Sequence, residues 1–429
     1  MNKIEIIGTK ETLYVEHLSN GLDIYMIPNK KVKNYYITLS TKYGSIYTNY
    51  KYNGEVYNNP KGIAHYLEHL MFKMPDGDAF DHFSKLGSFA NAYTSNEVTC
   101  YEVFANSKFK ENLSYLIEYV YTPYFTKDII NNERGIITEE IKMYDDDPAT
   151  ALYDNLYKNI FINDERRYLV SGTVSDIKKI KPEDIEMVYE AFYHPENMFM
   201  IITGNFNPEE AIAITGEVMK KFEFKEYEAP EILKEDEPFK INKDYDEKEM
   251  VVNKPKVVIG YKIPKNNFKS LKLSDLELKI YLNLIIRINF GVTSLINEEM
   301  KSNGIINGGI GTRLTETTDY YIQTFVAETD YPDYFINRIK DVFEKMNVSD
   351  ESIKRKVKGA ISNLILMFDN IEAVSSEIQD DIINYGTVIT DISTIYKSLN
   401  AELALKVISK LNKNLCSVNI IKPKSDKNA

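Results

Sequence analysis

Alternating apolar and polar positions divide the chain into strands and helices that occur in two batches. The Asn20-Gly21 pair predicts a hairpin turn between the first two strands. In chain order, the first batch predicts strands at 13–17, 22–27 and 35–39, helices at 63–72 and 79–85, strands at 90–94 and 98–104, and helices at 110–121 and 126–144. An apolar run at 198–204 that ends in glycine predicts a buried strand closing this first sheet.

The second batch repeats the order of strands before helices. It predicts a strand at 256–261, a helix at 273–288 and a strand at 320–326. The sequence therefore predicts an α+β fold of two similar α/β sandwich domains, each an antiparallel sheet packed by helices. We expect one domain at 1–228, a charged linker at 229–249 with little apolar periodicity, and a second domain at 250–429.

Composition limits the classes of protein that fit. The chain has 429 residues, 43% of them hydrophobic and 27% charged, as in large folded proteins. Its net charge of −12 disfavours nucleic acid as a main partner. Two distant cysteines, Cys100 and Cys416, indicate neither a metal cluster nor a disulfide framework. Since no signal-like start or long apolar run is present, we expect a cytoplasmic protein without membrane association.

The most informative pattern is His65-Tyr66-Leu67-Glu68-His69. Residues four apart lie on one face of a helix, so His65 and His69 can direct ring nitrogens at one metal ion. A hydrolytic zinc site takes three protein ligands and a water, and Glu68, one residue from a ligand, can reach that water as general base. This order of residues is the inverted zincin signature.

The alternative interpretation is that these histidines are ordinary polar residues on a helix. Histidine is scarce, with 5 in the chain against 64 aspartates and glutamates. The pattern is expected by chance on the order of 0.01 times per chain, which favours the metal site.

A third ligand is expected from the long acidic helix at 126–144. Glu133 and Glu140 are seven residues apart and share a face, whereas Glu139 points about 100° away from Glu140. Spacing alone leaves Glu140 as a ligand and an ordinary charged surface as equal alternatives.

These motifs resemble the inverzincin family of pitrilysin, insulin-degrading enzymes and mitochondrial processing peptidase. The resemblance covers most of the first half and is carried by the His65–His69 motif, Gly87 with the run at 91–94, Glu133-Arg134, the run at 139–144, and Gly172-Thr173. The second half is similar in architecture and only loosely in motif.

The resemblance implies a role for each site residue. His65, His69 and Glu140 correspond to the ligands of one zinc ion, and Glu68 to the general base. Glu133 corresponds to a supporting glutamate of the catalytic site. The strand containing Ala90, Asn91, Ala92 and Tyr93 resembles the edge on which family substrates lie extended, although an ordinary hairpin strand fits the same residues.

One departure from the family matters more than any match. Active single-chain relatives carry, in the second domain, an Arg and a Tyr seven residues apart with a glycine between them. Aligning that glycine with Gly304 places Met300 and Asn307 at the two positions. Arg313 and Tyr320 are also seven apart, but we assign them to a later hairpin and interpret their spacing as coincidence.

These observations predict a zinc-dependent endopeptidase that cleaves unfolded or leader-bearing peptides in an enclosed chamber. The chain would form half of a clamshell and would be the metal-bearing subunit of a heterodimer that processes a modified-peptide precursor, as in a bacterial two-subunit branch of the family. A homologous metal-free subunit would supply the Arg-Tyr pair. The alternative is a non-catalytic scaffold or peptide-binding subunit of the same fold, which the intact motif disfavours.

Overall fold

The computed structural model describes residues 1–424, which form two compact units. The strands are β1 Asn2–Glu5, β2 Thr12–His17, β3 Asp23–Pro28, β4 Tyr35–Thr41, β5 Asn49–Tyr52, β6 Glu55–Asn58, β7 Lys73–Met74, β8 Gly77–Asp78, β9 Phe89–Thr94, β10 Thr99–Ala105, β11 Met198–Gly204, β12 Glu231–Ile232, β13 Tyr245–Met250, β14 Lys256–Pro264, β15 Gly311–Glu316, β16 Tyr320–Glu328 and β17 Cys416–Pro423.

The helices follow the predicted periodicity. They are α1 Ile63–Met71, α2 Ala79–Leu86, α3 Phe109–Val120, α4 Lys127–Asp146, α5 Pro148–Ile160, α6 Val174–Ile177, α7 Pro182–Phe192, α8 Pro208–Met219, α9 Asp275–Asn289, α10 Leu295–Ser302, α11 Pro332–Glu344, α12 Asp350–Met367, α13 Ile371–Tyr385, α14 Ile392–Ser398 and α15 Ala401–Lys410. The helices and strands predicted from the sequence are confirmed, with ends shifted by a few residues.

The first unit is built on a seven-stranded sheet in the order β1-β2-β3-β11-β4-β10-β9. Its pairs are antiparallel except β3 with β11. The predicted closing strand, β11, lies inside the sheet rather than at its edge. Along β11, Met200 and Ile202 face one apolar cluster while Phe199 and Ile201 face another, which explains the unbroken apolar run of a strand buried on both faces.

The second unit repeats this plan with the five-stranded order β13-β17-β14-β16-β15. The pair β13 with β17 is parallel and the other pairs are antiparallel. Val257 and Ile259 face α9, α11 and α15, whereas Val258 faces α5. Two similar units with helices on both sheet faces confirm the predicted fold class.

The compact units differ from the contiguous domains expected from the sequence. The first unit comprises Met1–Ile141, Leu169–Lys234 and Leu364–Asp391, and the second comprises Lys142–Tyr168, Glu235–Asn363 and the described residues from Ile392 onward. The reason is helix packing: α5 buries its apolar face on β14 and β17 of the second sheet, and α13 buries its own on β4 and β11 of the first.

The expected linker at 229–249 is partly regular structure. Its Glu231–Ile232 segment pairs with β5 in the first unit, and Tyr245–Met250 pairs with β17 in the second. In the second unit, the Glu237 carboxylate accepts hydrogen bonds from the backbone N–H groups of Asn163 and Asp164 and from buried Lys262. A charged residue of this stretch, Glu237, therefore holds the chain in place by hydrogen bonds.

No helix within residues 1–424 is long and apolar enough to span a membrane.

Candidate metal centre

The helix that carries the histidine motif, α1, is fixed at its start by close backbone packing. Gly62 precedes it with φ of +85°, and a Cβ there would lie 2.3 Å from the carbonyl oxygen of Ser171. Tyr66 and Leu67 point into the core, and the Tyr66 hydroxyl donates to the carbonyl of Ile130 on α4. This contact ties α1 to α4 in the first unit.

The two histidines of α1 also face α4. Nε2 of His65 is 3.7 Å from Oε1 of Glu140, and Nε2 of His69 is 3.3 Å from Oε2 of the same carboxylate. A ligand atom from each of these three residues lies within 4.8 Å of the others. Two imidazoles and one carboxylate converging in this way form a donor set that zinc accepts.

Glu133, about two helical turns before Glu140, has a different partner. It is 4% exposed, and its Oε1 accepts a hydrogen bond at 2.9 Å from Nδ1 of His69. That bond assigns one proton to Nδ1, so Nε2, which faces Glu140, is the ring nitrogen of His69 that remains to bind a metal ion. Lys73 lies 3.7 Å from the other oxygen of Glu133.

The pKa values of the two histidines are shifted in opposite directions. Burial and neighbouring His69 lower the pKa of His65 to about 4, against the opposing effect of Glu140. Burial alone would lower the pKa of His69, but its bonds to Glu133 and Glu140 outweigh burial and raise that pKa to about 9. His65 is thus a neutral ring with a lone pair to offer, and the site holds a proton at His69 that a metal ion would displace.

Glu68 lies beside these ligands but outside the donor set. It is 7% exposed, and its Oε2 accepts a hydrogen bond of 2.7 Å from the hydroxyl of Thr94. Burial raises the pKa of Glu68, and the bond from Thr94 partly opposes that rise. A carboxylate so placed can take a proton at a pH nearer neutrality than an exposed glutamate.

The expected substrate strand, β9, is an edge of the first sheet. Ala90 and Ala92 pair with Val103 and Tyr101 of β10, and no described strand pairs with the other side of β9. Asn91 donates to Glu102 at 3.1 Å, and the Tyr93 hydroxyl accepts from the Gln379 amide at 2.6 Å. The strand is thereby held by its side chains while one backbone edge stays unpaired.

The second unit contains Met300 and Asn307, the two positions that align with the Arg-Tyr pair of active relatives. Met300 is fully buried at the end of α10, and Asn307 is exposed. Arg313 lies on β15 opposite Thr324, and Tyr320 begins β16 with its hydroxyl donating to the carbonyl of Glu237. The hairpin assigned to Arg313 and Tyr320 is confirmed.

Two contacts of the site were not predicted from the sequence. Thr94 belongs to a recognised run, but nothing in its spacing indicates that it bonds Glu68, 26 residues away. The contact between Gln379 and Tyr93 spans 286 residues. Only the periodicity of β9, which places Thr94 on the same face as Ala92, hints at the first of them.

Comparison with known proteins identifies relatives of this chain. Residues 27–173 match the family model described as insulinase, peptidase family M16, and residues 179–358 match the model of the peptidase M16 inactive domain. The uncharacterized zinc protease YmfH of Bacillus subtilis is 34% identical over 381 residues, covering 87% of this chain and 88% of the relative.

Solved structures share the fold. An M16-like peptidase from Alicyclobacillus acidocaldarius superposes with a TM-score of 0.90 at 23% identity, covering 97% of this chain and 99% of that one. Pitrilysin superposes with a TM-score of 0.73 at 14% identity, covering all of this chain and 47% of the pitrilysin chain. Together with the matched models, the similarity to YmfH over most of both chains shows that the chain belongs to peptidase family M16, the insulinase family.

Proposed function

We propose that this chain is a zinc-dependent endopeptidase subunit that cleaves unfolded or leader-bearing peptides. The observation that carries the proposal is the approach of two histidine Nε2 atoms on α1 to the two oxygens of Glu140 on α4, at 3.7 and 3.3 Å. One zinc ion would be held by His65, His69 and Glu140. Glu68, buried on the same helix, would be the general base.

The reaction divides between the ion and the chain. When bound, zinc would supply Lewis acidity, which would polarise a carbonyl oxygen and lower the pKa of a water to about 7. Glu68 accepts the proton of the attacking water and returns it to the nitrogen of the leaving amine. Because burial raises the pKa of Glu68, its carboxyl group can hold the proton between those two events.

The unpaired edge of β9 fits an extended peptide. Backbone pairing along Ala90, Asn91, Ala92 and Tyr93 would bind a peptide with little dependence on its sequence. Ala90 and Ala92 offer small side chains on the face of β9 shared with Thr94, the contact of Glu68. A peptide on this edge would therefore lie beside the metal centre.

Glu133 is expected to support the metal without binding it. Changing Glu133 to Gln removes the negative charge that orients His69, so zinc affinity should fall about 10- to 100-fold. Competition titration with a chelator of known affinity measures the change. Glu139→Gln, on the exposed face of the same helix, is the matched control and should leave the affinity unchanged; an unchanged affinity in Glu133→Gln would contradict the supporting role.

The absence of an Arg-Tyr pair at Met300 and Asn307 points to a divided active site. Met300 is apolar and buried, so it cannot replace a cationic group that holds a substrate backbone. We infer that a homologous subunit without the zinc motif supplies the pair and closes the chamber as the other half of a heterodimer.

The experiment compares the purified chain alone with the chain mixed with a co-encoded homologue that lacks the zinc motif. We expect the chain alone to bind one zinc ion but to hydrolyse a fluorogenic unstructured peptide slowly, and the mixture to hydrolyse it much faster. Equal rates with and without the second subunit would contradict the divided site.

The alternative, a non-catalytic scaffold or peptide-binding subunit, is favoured by the missing pair alone. It predicts zinc-independent peptide binding and no hydrolysis in any mixture. The intact set of His65, Glu68, His69 and Glu140 disfavours it, because a scaffold does not require a buried carboxylate beside two converging imidazoles.

A further inference from the structure

Thr94 ends the edge strand β9 and contacts the proposed general base directly. Its hydroxyl donates to Oε2 of Glu68 at 2.7 Å, in a place where Glu68 is almost fully buried. Within residues 1–424, Oε1 of Glu68 makes no hydrogen bond to the protein. The two oxygens of this carboxyl group are therefore in different environments.

The hydroxyl of Thr99 lies next to that of Thr94, and its own hydrogen bond shows which way the Thr94 hydroxyl donates. Thr99, opposite Thr94 on β10, donates its own hydroxyl proton to the carbonyl of Tyr43 at 2.9 Å and lies 3.4 Å from the Thr94 hydroxyl. Each hydroxyl has one proton to give. The Thr99 proton is donated to the carbonyl of Tyr43, so at 3.4 Å it contributes little to the Thr94 hydroxyl. The Thr94 proton is donated to Glu68, which is closer, at 2.7 Å.

The position of Thr94 is itself fixed. β9 is paired with β10 through Thr94, and the side chains of Asn91 and Tyr93 are bonded to Glu102 and Gln379. A donor on a strand restrained on two sides can hold one carboxylate rotamer, as a supporting residue of a catalytic group must.

We propose that Thr94 is the positioning residue of the general base. It anchors Oε2 of Glu68 so that Oε1 alone takes the proton of the attacking water as the new carbon–oxygen bond forms. The same oxygen returns that proton to the amine nitrogen as the carbon–nitrogen bond breaks. Thr94 thus joins the strand that binds the peptide to the group that moves the proton; this role rests on the proposed peptidase function.

Two substitutions separate the hydroxyl from the bulk of the side chain. Thr94→Val keeps the shape and removes the donor, whereas Thr94→Ser keeps the donor and removes a methyl group. In crystal structures of the zinc-loaded protein, we expect Glu68 to lie about 2.5–3.0 Å from the hydroxyl of residue 94 in wild type and Thr94→Ser. In Thr94→Val, the carboxylate should turn to another rotamer, and an unmoved Glu68 there would overturn the proposal.

Kinetics of the assembled enzyme give a second readout. Thr94→Val should lower kcat at least about tenfold at unchanged KM and zinc content, while Thr94→Ser stays within about threefold of wild type. A loss in Thr94→Ser with full activity in Thr94→Val would show a packing role and overturn the proposal. Failure of the peptidase function is recognised separately, because the zinc-loaded wild type would then cleave nothing, whereas the crystallographic comparison would still measure the Thr94 contact.

Discussion

Glu140→Gln is expected to leave the purified protein without zinc. The carboxylate of Glu140 faces Nε2 of both His65 and His69, and glutamine replaces one of its oxygens by an amide donor and removes its charge. Removing a residue that only hydrogen-bonds to a metal ligand weakens metal affinity by up to roughly 100-fold. Because Glu140 would bind the ion itself, its loss should weaken zinc affinity by more than that. Elemental analysis after dialysis against metal-free buffer measures the zinc content per chain.

Glu139→Gln is the control for this experiment. It makes the same chemical change at the adjacent residue, on an exposed part of α4 about 100° around the helix. Its zinc content should equal that of wild type. Full zinc content in Glu140→Gln would exclude Glu140 as a ligand. Glu133, the other glutamate facing α1, would then be the candidate for the third ligand.

Glu68→Gln is expected to keep its zinc and lose hydrolysis. Glu68 lies outside the group of three converging donors, so metal content should not change. Glutamine cannot accept a proton, and removal of a general base typically costs about 10²- to 10⁴-fold in rate. Peptide cleavage by the assembled enzyme and elemental analysis of the same sample give both values.

The two readouts of Glu68→Gln test separate assignments. Loss of zinc would make Glu68 a ligand rather than a base. Cleavage at the wild-type rate would show that another group moves the proton. Glu68→Gln and Glu140→Gln should therefore give opposite patterns of metal content while sharing the loss of activity.

Local periodicity was sufficient to predict the metal helix. The pattern of apolar residues around His65 and His69 has the period of a helix, and α1 buries its apolar residues in the core. The same reasoning put Glu133 and Glu140 on one face of α4. Information within about two helical turns of sequence was enough for these features.

The choice between Glu133 and Glu140 could not be made from spacing. It depends on where α1 crosses α4, which is fixed by contacts such as that between Tyr66 and Ile130, 64 residues apart. In the structure, Glu133 meets Nδ1 of His69 and Glu140 meets Nε2. Glu140 is the candidate ligand because it faces Nε2 of both histidines, whereas Glu133 contacts the other ring nitrogen of His69.

The sequence pattern also could not show which helices belong to which unit. An apolar helical face shows that a helix packs against something, but it does not show which sheet receives it. For this reason α5 was expected in the first domain and α13 in the second, whereas each packs on the other sheet. The edge position of β9 likewise depends on strand order, which only long-range pairing determines.

The most direct test of the central claim is anomalous diffraction at the zinc absorption edge from crystals of the protein grown with one equivalent of zinc. We expect one strong peak per chain, about 2.0–2.2 Å from Nε2 of His65, Nε2 of His69 and a carboxylate oxygen of Glu140. A peak elsewhere, or no peak in a protein that nevertheless cleaves peptides, would contradict it.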